Sequence, residues 1–135
     1  MFVVDASVVL AWVFDDESSA VADSVLGRIS REPAAAPAHG PLEIANALRI
    51  PERRGRLTSD EVPTVRSLLA ALPIEIVPVE LTTALYSVLD LAAKHDLSAY
   101  DATYLGLAEF RGVPLATVDT RLRSACLAAG VALVG

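Results

Sequence analysis

The sequence predicts an α/β fold in which helices cover both faces of a parallel sheet, and two observations predict it. Short apolar runs alternate with longer segments of helical periodicity along the whole chain, as in units of strand, crossover helix and strand. The first run, "FVV" at residues 2 to 4, has no polar alternation, which suits a strand buried on both faces. Two runs end directly in a carboxylate, Asp5 after "FVV" and Asp119 after "LATV", and sheets of this kind bind ligands beyond the carboxyl ends of their strands. With 135 residues, 53% of them hydrophobic, the chain is long enough for one domain with a substantial core.

Taken in order, the strand at residues 2 to 4 feeds a helix in "SVVLAWVFDDE", whose apolar positions suit burial. In "SSAVADSVLGRIS", Val21, Val25 and Ile29 recur at every fourth position and mark one face of a second helix. "PAAAPAHG" reads as a short strand or connector. "PLEIANALRI" follows as a helix with Pro41 in its first turn. Pro51 stops or kinks that helix near Ile50, because its ring would strike the Ala47 carbonyl. "TSDEVPTVRSLLAAL" is a further helix, with Thr58 and Glu61 at capping-box spacing. "IEIVPV" alternates like a strand. "LTTALYSVLDLAAKHDL", apolar at Leu81, Leu85, Val88, Leu89 and Ala92, is a helix, and so is "SAYDATYLGLAEFRG", stopped by Gly112. "VPLATVD" is strand-like, "TRLRSACLAAG" a helix with a glycine stop, and "VALVG" a last short strand. No internal repeat, low-complexity tract or interdomain linker interrupts this pattern.

No apolar run approaches the roughly 20 residues that cross a bilayer, and Met1 leads into the first strand without a basic flank or cleavage signal. The expectation is a cytoplasmic protein with no secretory leader and no membrane segment. Cys126 is the only cysteine, which leaves no internal disulfide and no cysteine-based zinc site; it reads as a small core hydrophobe. The formal charge of −6 opposes long-range attraction to nucleic acid unless cations gather on one face. Lys94 is the only lysine, but Arg49, Arg53, Arg54 and Arg56 fall within eight positions and form a candidate basic patch.

Two more acids lie in apolar helical stretches, Glu43 in "PLEIANAL" and Asp101 in "SAYDATYLGLA". All four have an ordinary structural use. Asp5 and Asp119 can cap the helices that follow them, Ser98 and Asp101 stand at capping-box spacing, and Glu43 falls in a first helical turn. Gathered at one end of a sheet, however, four carboxylates would repel one another in a partly dry crevice unless a counterion joined them. Mg²⁺ or Mn²⁺ suits an oxygen donor set and keeps several waters. On this reading the core strand carries Asp5 to its end so that the acid can hold a metal.

The stretches "VVDASV", "LEIANALR", "SAYDATYLGLA" and "LATVDTRL", in this order and at these spacings, resemble the PIN domain, and within it the VapC toxins of VapBC toxin–antitoxin pairs. The resemblance extends over essentially the whole chain, residues 1–135 forming a single PIN domain. It implies a three-layer α/β/α sandwich around a central parallel sheet. It also implies Mg²⁺- or Mn²⁺-dependent cleavage of RNA by an endoribonuclease toxin, and neutralisation by a cognate VapB-type antitoxin in a homodimer or higher toxin–antitoxin assembly. By position, Asp5, Glu43, Asp101 and Asp119 match the family's catalytic acidic quartet. The match implies that Asp5, Asp101 and Asp119 hold the metal directly or through water, while Glu43 orients or deprotonates the attacking water. Ser7 and Thr117 match the small hydroxyl positions that accompany the first and last acids. Ile50 and Pro51 interrupt what is commonly a longer polar helix end, which leaves the placement of the arginine patch open; Arg49, Arg53, Arg54 and Arg56 are candidate contacts for RNA or for the antitoxin.

Other chemistries fit less well. A haloacid-dehalogenase-type phosphatase places a second Asp two residues after the first, where this chain has Ser7. A receiver-type phosphoacceptor needs a paired acid near Asp5 and a late lysine, and a dinucleotide site needs a glycine-rich turn that does not follow "FVVDAS". A PIN-like protein that binds without cleaving is the remaining alternative. Asp15, Asp16 and Glu17 read as the solvated start of the next helix, His39 as a loop residue and His95 as a helix-end residue. Trp12, Phe14, Tyr100 and Tyr104 read as core or dimer-interface aromatics.

Overall fold

The computed structural model describes residues 1–50 and 55–135. Strands β1 (Phe2–Val4), β2 (Ala34–Pro37), β3 (Ile74–Val77) and β4 (Leu115–Ala116) form one sheet in the order β3-β2-β1-β4, with every pair parallel. Val3 is in register with Ala35 on one side and Leu115 on the other. All three residues of β1 are buried, because strands flank both of its edges and helices cover both of its faces. The expected α/β/α sandwich is the observed architecture.

Among the described residues the α-helices are α1 (Ala6–Val13), α2 (Ala20–Ile29), α3 (Gly40–Arg49), α4 (Glu61–Ala70), a composite α5, α6 (Ala99–Arg111) and α7 (Thr120–Ala129). Local chemistry sets their ends. Ser19 Oγ accepts from Ala22 N at 3.1 Å at the start of α2, and Ser98 Oγ accepts from Asp101 N at 3.1 Å at the start of α6. The Thr58 and Glu61 capping box closes in both directions, at 3.0 and 3.3 Å. Gly112 and Gly130 take left-handed φ values of 64° and 76° and end α6 and α7. After α3, Ile50 is extended, as a residue before proline must be, so the helix stops where the sequence placed its end.

The main core gathers β1, the inner faces of α1, α2, α6 and α7, and the alanines of β2, with Phe2, Val8, Val25, Leu105 and Leu122 among its members. Cys126 is buried there as a hydrophobe, and burial pushes its thiol up to about 11. Among the described residues no helix is long and apolar enough to cross a membrane.

Three local expectations are corrected. The closing "VALVG" contributes one parallel bridge, Leu133 with Leu115, instead of a strand. Asp15–Glu17 form a separate 3-10 turn; α2 starts later because Ser19 supplies its cap. The composite α5 comprises Leu81–Thr83, a π-helical stretch Ala84–Val88 and Leu89–His95. The wider π turn breaks the 3.6-residue phase, so Val88 and Ala92 are buried while Leu81, Leu85 and Leu89 face outward.

Candidate active site

The strand order reverses between β1 and β4. From β1 the chain moves outward to β2 and β3, then returns to β4 on the other edge of β1. Connections diverge at such a point and leave a crevice at the carboxyl ends of the two strands. Asp5 N–H donates to the Ala116 carbonyl at 2.9 Å, so the sheet ladder itself fixes where this carboxylate leaves β1. A cleft of about 340 Å³ opens there, lined by Asp5, Glu43, Asp101 and Asp119 together with Ser7 and Asn46. The four acids therefore arrive from four places: the end of β1, the first turn of α3, the first turn of α6 and the N-terminus of α7.

The capping alternative holds for only one of them. Asp119 does cap α7, its Oδ1 accepting from Leu122 N at 2.9 Å. Asp5 stands before α1 without capping it; its Oδ2 accepts instead from Ser7 Oγ at 2.6 Å and Thr117 Oγ1 at 2.7 Å. At the start of α6 it is the Ser98 hydroxyl that caps, meeting the Asp101 backbone N–H, and the same Ser98 side chain also interacts with the Asp101 carboxylate. Ser7 and Thr117 also tie the two strand ends together. Val118 N donates to Ser7 Oγ at 3.2 Å and Asp119 N to Thr117 Oγ1 at 3.0 Å, while Arg123 braces the Thr117 carbonyl at 2.9 Å.

The electrostatics are those of crowded, half-dry acids. Burial pushes the Asp5 carboxyl up to about 6, against the Ser7 and Thr117 hydroxyls that favour its ionised form, with Glu43 and Asp101 adding repulsion. Asp101 is also raised, first by burial and then by the charges of Asp119 and Glu43. Among the described residues no lysine or arginine lines this cleft. Nor does any group of three or more His, Cys, Asp or Glu side chains among them form a ready metal cage. The donor chemistry nonetheless fits a hard divalent cation: the ligands are oxygens, a cation relieves their repulsion, and an open cleft accommodates the waters that Mg²⁺ retains.

Several neighbours were not singled out by the sequence. Tyr104 is fully buried, as a core aromatic should be, yet its hydroxyl donates to Glu43 Oε1 at 2.9 Å. His39 is not simply a loop residue: it occupies the position before α3, with Nε2 3.1 Å from Glu43 Oε1 and its ring against Tyr104 and Tyr100. Asn46, one turn beyond Glu43, lines the cleft, as does Glu17. The available signals were helical spacings, His39 to Glu43 at i,i+4 and Asp101 to Tyr104 at i,i+3.

The two described arginines of the candidate patch have different surroundings. Arg56 donates to Asp16 Oδ1 at 2.6 Å and lies over the Phe14 ring. Arg49 is exposed at the end of α3, beside a groove shared with α4. Arg53 and Arg54 lie outside the described residues.

Solved structures share this fold. PAE2754 from Pyrobaculum aerophilum is 28% identical, with a TM-score of 0.66 over 92% of this chain and 84% of its own. VapC20 of Mycobacterium tuberculosis, described as a sarcin–ricin loop cleaving toxin, is 16% identical, with a TM-score of 0.66 over 93% of this chain and 95% of its own. No curated protein matches the sequence. The family model for the PIN domain matches residues 2–127, a span that holds β1 to β4 and all four acids, and the chain belongs to the PIN domain family.

Proposed function

We propose that this PIN domain is a divalent-metal-dependent endoribonuclease of the VapC toxin class, held inactive in the cytoplasm by a cognate VapB-type antitoxin. The observation that carries the reading is the convergence of Asp5, Glu43, Asp101 and Asp119 on one cleft with no lysine or arginine on its wall among the described residues. The likeness in fold to a toxin that cleaves the sarcin–ricin loop supports RNA as the substrate.

Asp5, Asp101 and Asp119 would hold Mg²⁺ or Mn²⁺, and when bound the cation supplies the Lewis acidity that lowers the pKa of water and stabilises charge on the phosphate oxygens. Ser7 and Thr117 both bond Oδ2 of Asp5, which fixes the carboxylate and leaves its other oxygen to the cleft. Glu43 orients the attacking water and accepts its proton. The water oxygen bonds to phosphorus as the bond to the 3′ oxygen breaks in line, and the released 3′ oxygen takes a proton from solvent, leaving a 5′-phosphate and a 3′-hydroxyl. Arg49, Arg53, Arg54 and Arg56 are the cations available to RNA phosphates or to the antitoxin. Exposed Leu81, Leu85, Tyr86, Leu89 and Phe110 form apolar surface that favours a homodimer or a toxin–antitoxin assembly.

The test is incubation of antitoxin-free protein with total RNA in Mg²⁺, Mn²⁺ or chelator, beside Asp5→Ala. Fragments that need metal, carry 5′-phosphates and are missing with Asp5→Ala support the reading. Metal-independent fragments, or equal cleavage by the variant, contradict it.

A further inference from the structure

We infer that Tyr104 and His39 are positioning residues for Glu43: together they fix its Oε1 and leave Oε2 as the oxygen presented to the cleft. The inference rests on the nuclease reading of Glu43 given above.

One contact is distant in sequence and the other local. Tyr104 reaches Glu43 from α6, 61 residues away, with a 2.9 Å hydrogen bond. His39 reaches it from the position before α3, its Nε2 3.1 Å from the same Oε1, close enough for an ion pair but without the alignment of a hydrogen bond. Glu43 N–H also donates to the His39 carbonyl at 3.0 Å, so the backbone sets how the two side chains face. The His39 ring is itself held, edge-on to Tyr104 at 5.0 Å and tilted against Tyr100 at 5.4 Å. Among the described residues Glu43 Oε2 has no protein partner.

Tyr104 is suited to this use. A fully buried phenol needs a partner for its hydroxyl, and here the partner is a half-buried carboxylate on the wall of the cleft. Burial beside Asp5 and Glu43 holds the phenol protonated far above its ordinary range, so Tyr104 donates and Glu43 accepts. The room for that hydroxyl comes from Gly40. A Cβ at position 40 would lie 3.0 Å from Tyr104 Oη, while its next contact, to Ala36 Cβ at 3.5 Å, is ordinary packing. The glycine that opens α3 thus admits the group that holds the acid in its first turn.

A positioned acid costs rate when it loosens, while substrate binding is little affected. On an RNA fragment that the wild type cleaves, Tyr104→Phe is expected to lower kcat roughly tenfold or more, with KM and Mn²⁺ affinity within about twofold. His39→Ala is expected to lose rate as well, because it removes the ring that lies against Glu43 Oε1 and Tyr104. Gly40→Ala should mimic Tyr104→Phe and add almost nothing to it, because the clash disappears with the hydroxyl. An unchanged kcat in Tyr104→Phe, or additive losses in the double variant, overturns the inference.

A second measurement needs neither metal nor RNA. In metal-free protein labelled with ¹³C in its tyrosine rings, the Tyr104 Cζ resonance is expected to shift on Glu43→Gln, as the acceptor changes from carboxylate to amide. A resonance that does not move overturns the contact even if the protein cleaves RNA. If the resonance shifts on Glu43→Gln but the wild type cleaves no RNA with any metal, the nuclease reading is overturned while the placement of Glu43 stands.

Discussion

Thr117 donates its hydroxyl to Asp5 Oδ2 at 2.7 Å across a sequence separation of 112 residues. The same oxygen atom of Thr117 accepts from the Asp119 backbone N–H at 3.0 Å, so one buried hydroxyl couples the first acid of the chain to the last. It can do so because β1 and β4 are hydrogen-bonded neighbours whose ends both open into the cleft.

Replacing that hydroxyl by a methyl group keeps the shape and removes both bonds. Thr117→Val is expected to destabilise the fold by about 1–3 kcal/mol, the cost of leaving buried polar partners unmet. Thr117→Ser should recover most of the loss. Urea midpoints of the three proteins check this, and a Thr117→Val midpoint equal to wild type contradicts it.

Asp5 gives the stability a defined pH dependence. Its carboxyl ordinarily titrates at 3.8 and is raised to about 6 by burial in the folded state, so between these values the folded chain binds more protons than the unfolded one. The group's contribution is therefore full below about pH 4 and is lost as pH rises through about 6. Asp5→Asn removes the charge, keeps an oxygen acceptor for Ser7 and Thr117, and is expected to be more stable than metal-free wild type near neutral pH by roughly 2–3 kcal/mol. The gap should close towards about pH 4. Added Mn²⁺ should raise the melting temperature of the wild type and leave that of Asp5→Asn unchanged. Thermal melts across pH, with and without Mn²⁺, read both effects; parallel curves would contradict them.

Arg49 is exposed and Arg56 is engaged by Asp16, so their contributions to RNA binding should differ. Arg49→Ala is expected to weaken binding of a cleavage-deficient variant to RNA and to lower the slope of log affinity against log salt by about 1. Arg56→Ala should change the slope less. The reverse order, measured by fluorescence anisotropy over a salt series, would assign the phosphate contact to Arg56.

The sequence displayed the acids more clearly than the groups that hold them. Asp5 and Asp119 were legible because each closes an apolar run, and strand ends in a parallel sheet share one edge. The helix stops at Ile50, Gly112 and Gly130 were legible because proline and glycine act locally. The contact of Tyr104 with Glu43 spans 61 residues and depends on a missing Cβ at Gly40, which no periodicity registers. The outward turn of Leu81, Leu85 and Leu89 was hidden for a related reason: a π stretch shifts the phase that the apolar spacing assumes. Glu17 looked like solvated charge, yet it lines the cleft because the 3-10 turn folds back beside α1.

The most direct measurement of the central claim is calorimetric titration of Mn²⁺ into the antitoxin-free protein and into Asp101→Asn. Asp101 is placed by the Ser98 cap at the start of α6, and the conservative change removes its charge while leaving that cap intact. The acidic cleft predicts saturable binding by the wild type and at least roughly tenfold weaker binding by the variant, the loss expected when one ligand charge is removed from a carboxylate site. Equal affinity in the two proteins, or no binding by the wild type, would contradict the assignment of these acids as a metal site.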